Sequence, residues 1–543
     1  MDETELNEKI HLLKKYLEEG RLKFVKGMKV IESLKKVKYR ADGKVNPDTV
    51  DTLVRSLAST VSFIDYRQEL KKVPLLDVMR EYYVLLEKFF QVPYEEMLKN
   101  SITPHEIASS VASNQKIVRA FHAEAAAFES GIIDFWEALG PIVSTHIEDL
   151  RCLKTIYGGD IFPNYQSNAI SNTSLYIDTI IFPDPVLRCA SFYKAFPIER
   201  AIYYLTKHAL SVLSLKDVVL ADINPPIAII APDSFHYDES TQEFVMSLGQ
   251  KDLMTHLGYA FGREFKSDEE LDIFLSNIKD IPSLKKVIAD KDRILFDTDW
   301  KDLSLEEMWE KTKKYSLRLR DKSIGQQLGL TISGRMLQVN DLLVRSNQLG
   351  GTPFIDAPTS WQYFLWKYEY DQQISNAVNP ELKNLLAIKA LQADDLTWLG
   401  NVPYEAIVQL RKDGALHDIR EMMTRGLGEI ERVSEADFDT ATDKVVSNIN
   451  EALEKHNKEL IELSSSAKKY FGYDITPWLT CGGLSIAAAT TGNIPLSVSA
   501  AIAGMIGSPS VRELWGKGKD LLEDNKKIKR SPIGIFFEAK KKK

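Results

Sequence analysis

The sequence predicts a mainly α, multidomain protein with a small α/β element, so that the fold is α+β overall, and with a C-terminal helical hairpin of small residues. Three observations support this prediction. Apolar residues recur at helical spacing along most of the chain. Short β-branched and aromatic runs at 174–182 and 226–234 flank one helical pattern. A segment of 37 residues, 475–511, carries no charge and is rich in Gly, Ala, Ser and Thr.

Composition and cysteine usage indicate a globular protein of a reducing compartment. Of the 543 residues, 44% are hydrophobic and 10% aromatic, which excludes a disordered chain. The three cysteines, Cys152, Cys189 and Cys481, lie far apart and outline neither a disulfide framework nor a metal knuckle. The N-terminus has no apolar signal region, and no run of 18 strongly apolar residues occurs. We therefore expect a cytoplasmic protein.

Residues 1–155 are predicted to form an N-terminal helical domain. Leu6, Ile10, Leu13 and Leu17 fall on one helix face, and Ser101 or Thr103 is expected to start a later helix. The stretch 21–40 holds eight Lys or Arg against one Glu. Its interleaved apolar residues favour a solvated helix face over a phosphate-binding surface, and no nucleic-acid motif accompanies it. Nucleic acid is therefore the less favoured partner.

Residues 156–245 are predicted to be the small α/β element. A loop rich in Gly, Asn, Ser and Pro follows Tyr157, and the strand-like run SLYIDTIIF comes after it. The segment 197–215 reads as a helix with Pro at its first turn. VVLADI and PIAIIAPDS are then predicted to be strands. The alternation of strand and helix is typical of an α/β arrangement.

The remaining chain divides into a long-helix region, 246–470, and a C-terminal region, 471–543. The first contains many charges of both signs, which favours long solvated helices that are compatible with self-association. In the second, Gly492 to Pro495 divides the uncharged segment into two arms, each too short to cross a bilayer. Small residues allow close helix packing, either inside protein or in lipid.

The end of the chain is basic and is the predicted surface for a membrane or a partner protein. From Arg512 to Lys543 there are 11 basic and 5 acidic residues, a net charge of +6, against −8 for the whole chain. Aromatic and basic residues of this kind anchor proteins to anionic leaflets. The candidate contact residues are Trp478, Trp515, Lys526, Lys527, Lys529, Arg530, Phe536 and Phe537.

Acidic residues near the predicted strands form the one candidate catalytic set. In open α/β sheets, sites gather beyond the carboxyl ends of strands, and carboxylates there could hold Mg²⁺ or Mn²⁺. The alternative is that these residues only form turns and helix caps, since Asp beside Pro is a common turn former. The candidate metal ligands are Asp178, Asp184, Asp222, Asp233 and His236.

Familiar catalytic motifs are missing from the sequence. There is no P-loop, no GxGxxG after a strand, no GxSxG and no HExxH. The first functional hypothesis is a non-enzymatic sensor, scaffold or effector with protein partners and no cofactor. The alternative is a metal-dependent hydrolase or nuclease that uses the acidic set. A role in prokaryotic defence or stress would fit such a protein, although no motif argues for it.

Overall fold

The computed structural model confirms a mainly α fold with a small α/β element. It describes residues 2–24, 29–160, 170, 177–190, 196–236, 238–300, 302–313, 322–355, 357–375, 407–408, 411–412 and 414. The described chain forms two compact units. The first comprises Met1–Leu75 with Pro141–His146, and the second comprises Leu76–Gly140 with the described residues from Ile147 onward.

The first unit is built from three helices, α1 (Glu3–Glu18), α2 (Lys29–Lys36) and α3 (Thr52–Leu70). Asp2 and Asp51 cap α1 and α3, because their side chains accept hydrogen bonds from free amides of the first turn. The predicted apolar face of α1 is confirmed, and its residues pack with those of α3 and the intervening loop. The core consists of Leu6, Ile10, Leu13, Tyr16, Val45, Val50, Val54, Ala58 and Val61.

Three further helices precede the sheet: α4 (Leu75–Asn100), α5 (Pro104–Ser113) and α6 (Gln115–Asp149). Thr103 begins α5, as predicted, through a reciprocal cap in which Thr103 and Glu106 bond each other's backbone amides. Apart from the short segment that α6 gives to the first unit, these helices belong to the second unit. The boundary between the two compact units falls at Leu75. The change from helices to strands comes later, at Lys154, close to the expected domain boundary at 155.

The second unit contains a sheet of four parallel strands: β1 (Lys154–Tyr157), β2 (Thr179–Pro183), β3 (Ala228–Ala231) and β4 (Thr352–Phe354). Their order in space is β3-β2-β1-β4. Thr155 lies beside Ile180 on one side and beside Thr352 on the other. Almost every strand residue is buried, which is typical of a parallel sheet covered by helices.

Helices fill the connections between these strands. Between β2 and β3 lie α7 (Pro185–Ala190), α8 (Ile198–Leu213) and α9 (Lys216–Val219). Between β3 and β4 lie α10 (Glu239–Phe261), α11 (Asp268–Asn277), α12 (Ile281–Val287), α13 (Leu305–Lys313) and α14 (Ile324–Leu349). The last long described helix is α15 (Pro358–Ser375).

One strand assignment from the sequence was wrong. VVLADI does not form a strand: its valines belong to α9, where the amide of Leu220 donates to the carbonyl of Lys216. The strand beside β2 is β3, which lies within the predicted run PIAIIAPDS. The sequence also gave no sign of β1 or β4, because runs of four and three residues are too short to show a periodicity.

Two glycines set the position of helix α14 against α11. A Cβ atom at Gly325 would lie 2.2 Å from the backbone oxygen of Leu275, and one at Gly329 would lie 2.6 Å from its Cδ1 atom. Ser323 caps α14 and donates a hydrogen bond to the same Leu275 oxygen. The start of α14 is therefore held in backbone contact with α11, and the rest of the helix leads toward β4.

Candidate functional site

The carboxyl edge of the sheet collects charged residues from several parts of the second unit. Because the four strands are parallel, the segments that follow them emerge at one edge. Asp160 lies shortly after β1, Asp184 directly after β2 and Asp233 shortly after β3. The strand order reverses between β1 and β4, and open α/β sheets bind ligands beside such a reversal. This edge is the candidate functional site.

Asp233 lies between two arginine side chains at this edge. The Nε atom of Arg188, on α7, donates a hydrogen bond to Oδ2 of Asp233. Nη1 of Arg345, on α14, is 2.7 Å from Oδ1. All three side chains are buried. Burial opposes the charge of Asp233, but the two guanidinium groups outweigh it and lower the pKa of this carboxyl below its ordinary value.

Arg188 joins three segments of the edge. Its Nη1 atom donates to the backbone oxygen of Asp160 at 2.7 Å, and its Nη2 atom donates to Oδ2 of Asp341 on α14 at 3.3 Å. Burial and the neighbouring Asp233 charge raise the pKa of Asp341. Arg188, Asp233, Asp341 and Arg345 form one buried set of alternating charges, which we call the ion cluster.

Arg345 is the least satisfied member of the ion cluster. Its residue is 2% exposed, yet within the described chain none of its three guanidinium nitrogens has a hydrogen-bond acceptor in suitable geometry. The short contact to Asp233 is therefore an ion pair without a well-aligned hydrogen bond. Oδ1 of Asp233 and Oδ1 of Asp341 also lack a hydrogen-bond donor among the described residues. Buried polar groups of this kind are uncommon in proteins.

His236 lies beside the ion cluster, in the short 3-10 turn Ser234–His236 that follows β3. Its Nε2 atom is 4.0 Å from Oδ2 of Asp233. Burial, with Arg188 and Arg345 nearby, lowers the pKa of His236 to about 4 although Asp233 acts in the opposite direction. The imidazole is therefore neutral near pH 7, and it adds no charge to the cluster.

Asp184 lies at the same edge but has different neighbours. It accepts hydrogen bonds from the Tyr82 hydroxyl at 2.6 Å, from Nε1 of Trp136 at 2.5 Å and from the amide of Val186 at 2.8 Å. Its residue is fully buried. Burial raises the pKa of Asp184 to about 6, because these neutral donors offset only part of the cost of enclosing a charge.

The amino edge of the sheet holds the other predicted acidic residues. Asp178 accepts a hydrogen bond from the amide of Leu153 at 3.0 Å, just before β2 begins. Asp222 is exposed and precedes β3. Arg411 closes this edge by donating to the backbone oxygens of Asp178 at 3.0 Å and Pro225 at 3.2 Å.

The five predicted metal ligands therefore do not converge. Asp178 and Asp184 lie at opposite ends of the five-residue strand β2, about 20 Å apart. At the carboxyl edge, Asp184 accepts from Tyr82 and Trp136 and Asp233 faces two arginines, so neither presents an open pair of oxygens to a cation. Within the described ranges, no three His, Cys, Asp or Glu side chains are placed to hold a metal ion. The predicted Mg²⁺ or Mn²⁺ shell does not form from this set.

Sequence reasoning missed the residues that partner Asp184 and Asp233. A signal was present in two places, since Arg188 follows Asp184 by one helical turn in an apolar context and Asp341 precedes Arg345 by one turn in the apolar run VNDLLV. Charges embedded in apolar runs indicate buried ion pairs. No comparable signal marks Tyr82 or Trp136.

The predicted C-terminal contact surface lies outside the described residues. This holds for the uncharged segment 475–511 and for Trp478, Trp515, Lys526, Lys527, Lys529, Arg530, Phe536 and Phe537. Among the helices that the structure describes, none combines the length and the apolar character needed to cross a membrane.

Comparison of the chain with protein-family models, with curated proteins and with solved structures finds no match.

Proposed function

We propose that this protein is a non-enzymatic, cytoplasmic sensor, scaffold or effector that acts through protein contacts, and that it binds a small ligand at the carboxyl edge of its sheet. The observation that supports binding is the ion cluster. It lies at the carboxyl edge of the sheet, the edge at which open α/β sheets bind ligands, and its Arg345 guanidinium is buried with unused hydrogen-bond donors.

The charges of the same cluster favour binding over metal-dependent catalysis. A metal ligand must offer a free oxygen, whereas both oxygens of Asp233 face guanidinium groups. Two buried positive charges would also repel a divalent cation. The low pKa values of Asp233 and His236 leave neither group suited to general acid–base work near pH 7.

An activity assay separates this proposal from the hydrolase alternative. Purified protein is incubated with phosphodiester and phosphomonoester substrates in the presence of Mg²⁺ or Mn²⁺, beside the variants Asp233→Asn and Asp222→Asn. We expect no turnover above background for any of them. Metal-dependent hydrolysis that survives Asp222→Asn but disappears in Asp233→Asn would replace the proposal with the hydrolase.

The C-terminal region, 471–543, is proposed to contact an anionic membrane surface or a protein partner. Its last 32 residues carry a net charge of +6, and basic segments gain about 1 kcal/mol per Lys or Arg near an anionic leaflet. Full-length protein and a chain truncated after Asp474 are sedimented with phosphatidylserine-containing and neutral vesicles. We expect salt-sensitive binding of the full-length protein to the anionic vesicles alone, and its loss on truncation.

A charge-reversed tail is the matched control for the truncation, because it keeps the chain length. The substituted positions are Lys526, Lys527, Lys529 and Arg530, each changed to Glu. The protein with the charge-reversed tail should bind anionic vesicles as weakly as the truncated chain. If neither the full-length nor the truncated protein binds, or if both bind equally, the membrane part of the proposal is wrong.

A further inference from the structure

The unused donors of Arg345 define what a ligand must supply. A guanidinium group has five N–H donors in a planar fork that matches two oxygens of one oxyanion. In Arg345 the Nε, Nη1 and Nη2 atoms have no acceptor in hydrogen-bonding geometry among the described residues. The ion pair with Asp233 holds the group in place without using these donors well. An added group with two acceptor oxygens would satisfy the fork.

The charge of the ion cluster limits the charge of that group. Arg188 and Arg345 contribute two positive charges and Asp233 one negative charge. When Asp341 is protonated, the sum is +1. A singly charged oxyanion then leaves the buried site neutral, whereas a doubly charged phosphate leaves an excess of −1, which is costly to bury.

We propose that Arg345 binds the carboxylate group of a small ligand and that Asp341, in its protonated form, donates a hydrogen bond to the same group. The inference rests on the proposed binding function and names the chemistry of the ligand. Both residues are on α14, one helical turn apart, so their side chains leave the same face of one helix. Oδ1 of Asp341 has no hydrogen-bond donor among the described residues. A proton on this oxygen would let it donate a hydrogen bond to the carboxylate of the ligand.

Binding is expected to be coupled to proton uptake by Asp341. The charged groups that face Asp341 are Arg188 from α7, Arg345 from its own helix and Asp233 from the segment after β3. His236 is neutral near pH 7, and Arg335 is paired with Asp160. Burial raises the pKa of Asp341, and a bound carboxylate would raise it further. Affinity should therefore fall by about tenfold per pH unit above the pKa of Asp341.

The probe is acetate, compared at constant ionic strength with chloride and with inorganic phosphate, which is mostly doubly charged at pH 8. Thermal unfolding of the full chain is followed at pH 6 and pH 8 over a range of probe concentrations. We expect acetate to raise the unfolding midpoint saturably, and more at pH 6 than at pH 8. Arg345→Lys, which keeps the charge but lacks the fork, should weaken this effect by about tenfold or more.

Two further variants keep the test decisive if Arg345→Lys disturbs folding. Arg335 lies on the same helix, about 15 Å from Arg345. The Arg335→Lys variant should respond to acetate like the unsubstituted protein. Asp341→Asn mimics the protonated acid, so the response to acetate should persist but become independent of pH. This second result does not depend on any arginine variant.

Several outcomes would overturn the inference. The first is a lack of any saturable effect of acetate. The second is an acetate effect that is equal in the Arg345→Lys and unsubstituted proteins, and the third is an Asp341→Asn variant that keeps the full pH dependence. If phosphate alone stabilises the protein in an Arg345-dependent manner, the carboxylate inference is wrong while the proposed binding function stands.

Discussion

Asp184 and Asp233 follow neighbouring strands of one sheet, and each comes directly after a proline. In sequence they look equivalent, yet their surroundings are opposite. Asp184 is enclosed by neutral donors, Tyr82 and Trp136, and its pKa is raised to about 6. Asp233 is enclosed by two guanidinium groups, and its pKa is lowered. The position after a strand places a carboxylate at the edge, but side chains from elsewhere in the chain decide whether its pKa is raised or lowered.

The comparison also explains why only one of the two carboxylates belongs to a candidate binding site. The oxygens of Asp184 accept hydrogen bonds from side chains and backbone, so the group serves as the cap of α7. The ion cluster around Asp233 retains unused donors on Arg345. One carboxylate is a completed structural element, and the other belongs to a set that a ligand could complete.

The largest effect is expected from Asp233→Ala. This change leaves two buried guanidinium groups without their shared counter-ion, which typically costs about 3–5 kcal/mol of unfolding free energy. Urea denaturation followed by circular dichroism measures the loss. Asp222→Ala, at an exposed position before β3, should change the unfolding free energy by less than about 0.5 kcal/mol. Equal losses in the two variants would contradict the charge assignment.

The next effect concerns the pH dependence caused by Asp184. Its pKa is about 6 in the folded protein against an ordinary 3.8, so the folded state holds a proton that the unfolded chain releases. The contribution of Asp184 to the free energy of unfolding is therefore largest below about pH 4. It declines by about 3 kcal/mol as the pH rises to about 6. Asp184→Asn should remove this part of the decline. Burial also raises the pKa of Asp341 to about 6, so part of the decline with pH remains in the Asp184→Asn variant.

The matching prediction for Asp233 has the opposite sign. Its pKa is lowered, so its contribution is present above the ordinary value of 3.8 and is lost as pH falls below it. The unfolding free energies of Asp233→Asn and Asp184→Asn are measured from pH 3 to pH 7. Because asparagine resembles the protonated acid, both variants should approach the unsubstituted protein toward pH 3. As the pH rises to 7, the unfolding free energy of Asp233→Asn should fall below that of the unsubstituted protein, and that of Asp184→Asn should rise above it. Departures of the same sign near pH 7 would remove the contrast between the two sites.

A smaller effect tests the support of the ion cluster by helix α14. Gly325→Ala places a Cβ atom against the backbone of Leu275 and should cost about 1–3 kcal/mol. Gly334→Ala, on the same helix with no heavy atom within 4 Å of the new Cβ, should stabilise by about 0.5–1 kcal/mol. The first change should also weaken the Asp233-dependent part of the pH profile, while the second should leave it intact. In thermal unfolding, we expect a lower melting temperature for Gly325→Ala and a higher one for Gly334→Ala.

The smallest effect comes from Tyr82→Phe, which removes one donor from Asp184. We expect a loss of about 1 kcal/mol and a further rise in the pKa of Asp184, because the lost hydrogen bond favours the charged form. Tyr83→Phe is the matched control, since Tyr83 donates to the backbone oxygen of Val212 at 3.1 Å. Tyr83→Phe should lower the unfolding free energy by a similar amount without shifting its dependence on pH. If Tyr83→Phe also shifted the pH dependence of stability, the effect could not be assigned to the hydrogen bond between Tyr82 and Asp184.

Much of the fold was predictable, because amphipathic helices and β-branched runs carry a periodic signal. Caps such as Thr103 were also local, and the strands before Asp184 and Asp233 could be located. What the sequence could not provide is contact between distant segments. Tyr82 meets Asp184 across 102 positions, and Arg188 meets Asp341 across 153. Asp178 and Asp222 looked like further members of one site because the sequence placed Asp178 inside a strand that begins only at Thr179, and placed Asp222 in VVLADI, which forms no strand.

The contacts of Arg411 have a consequence for how this chain can be divided. Its guanidinium bonds backbone oxygens that precede β2 and β3, although it comes 36 positions after α15 ends at Ser375. Any fragment that ends at the last long described helix would leave those carbonyl groups without this donor. Expression trials should therefore show a lower melting temperature for a fragment ending at Ser375 than for one that extends past Arg411, and an Arg411→Ala change in the longer fragment should reproduce part of the difference.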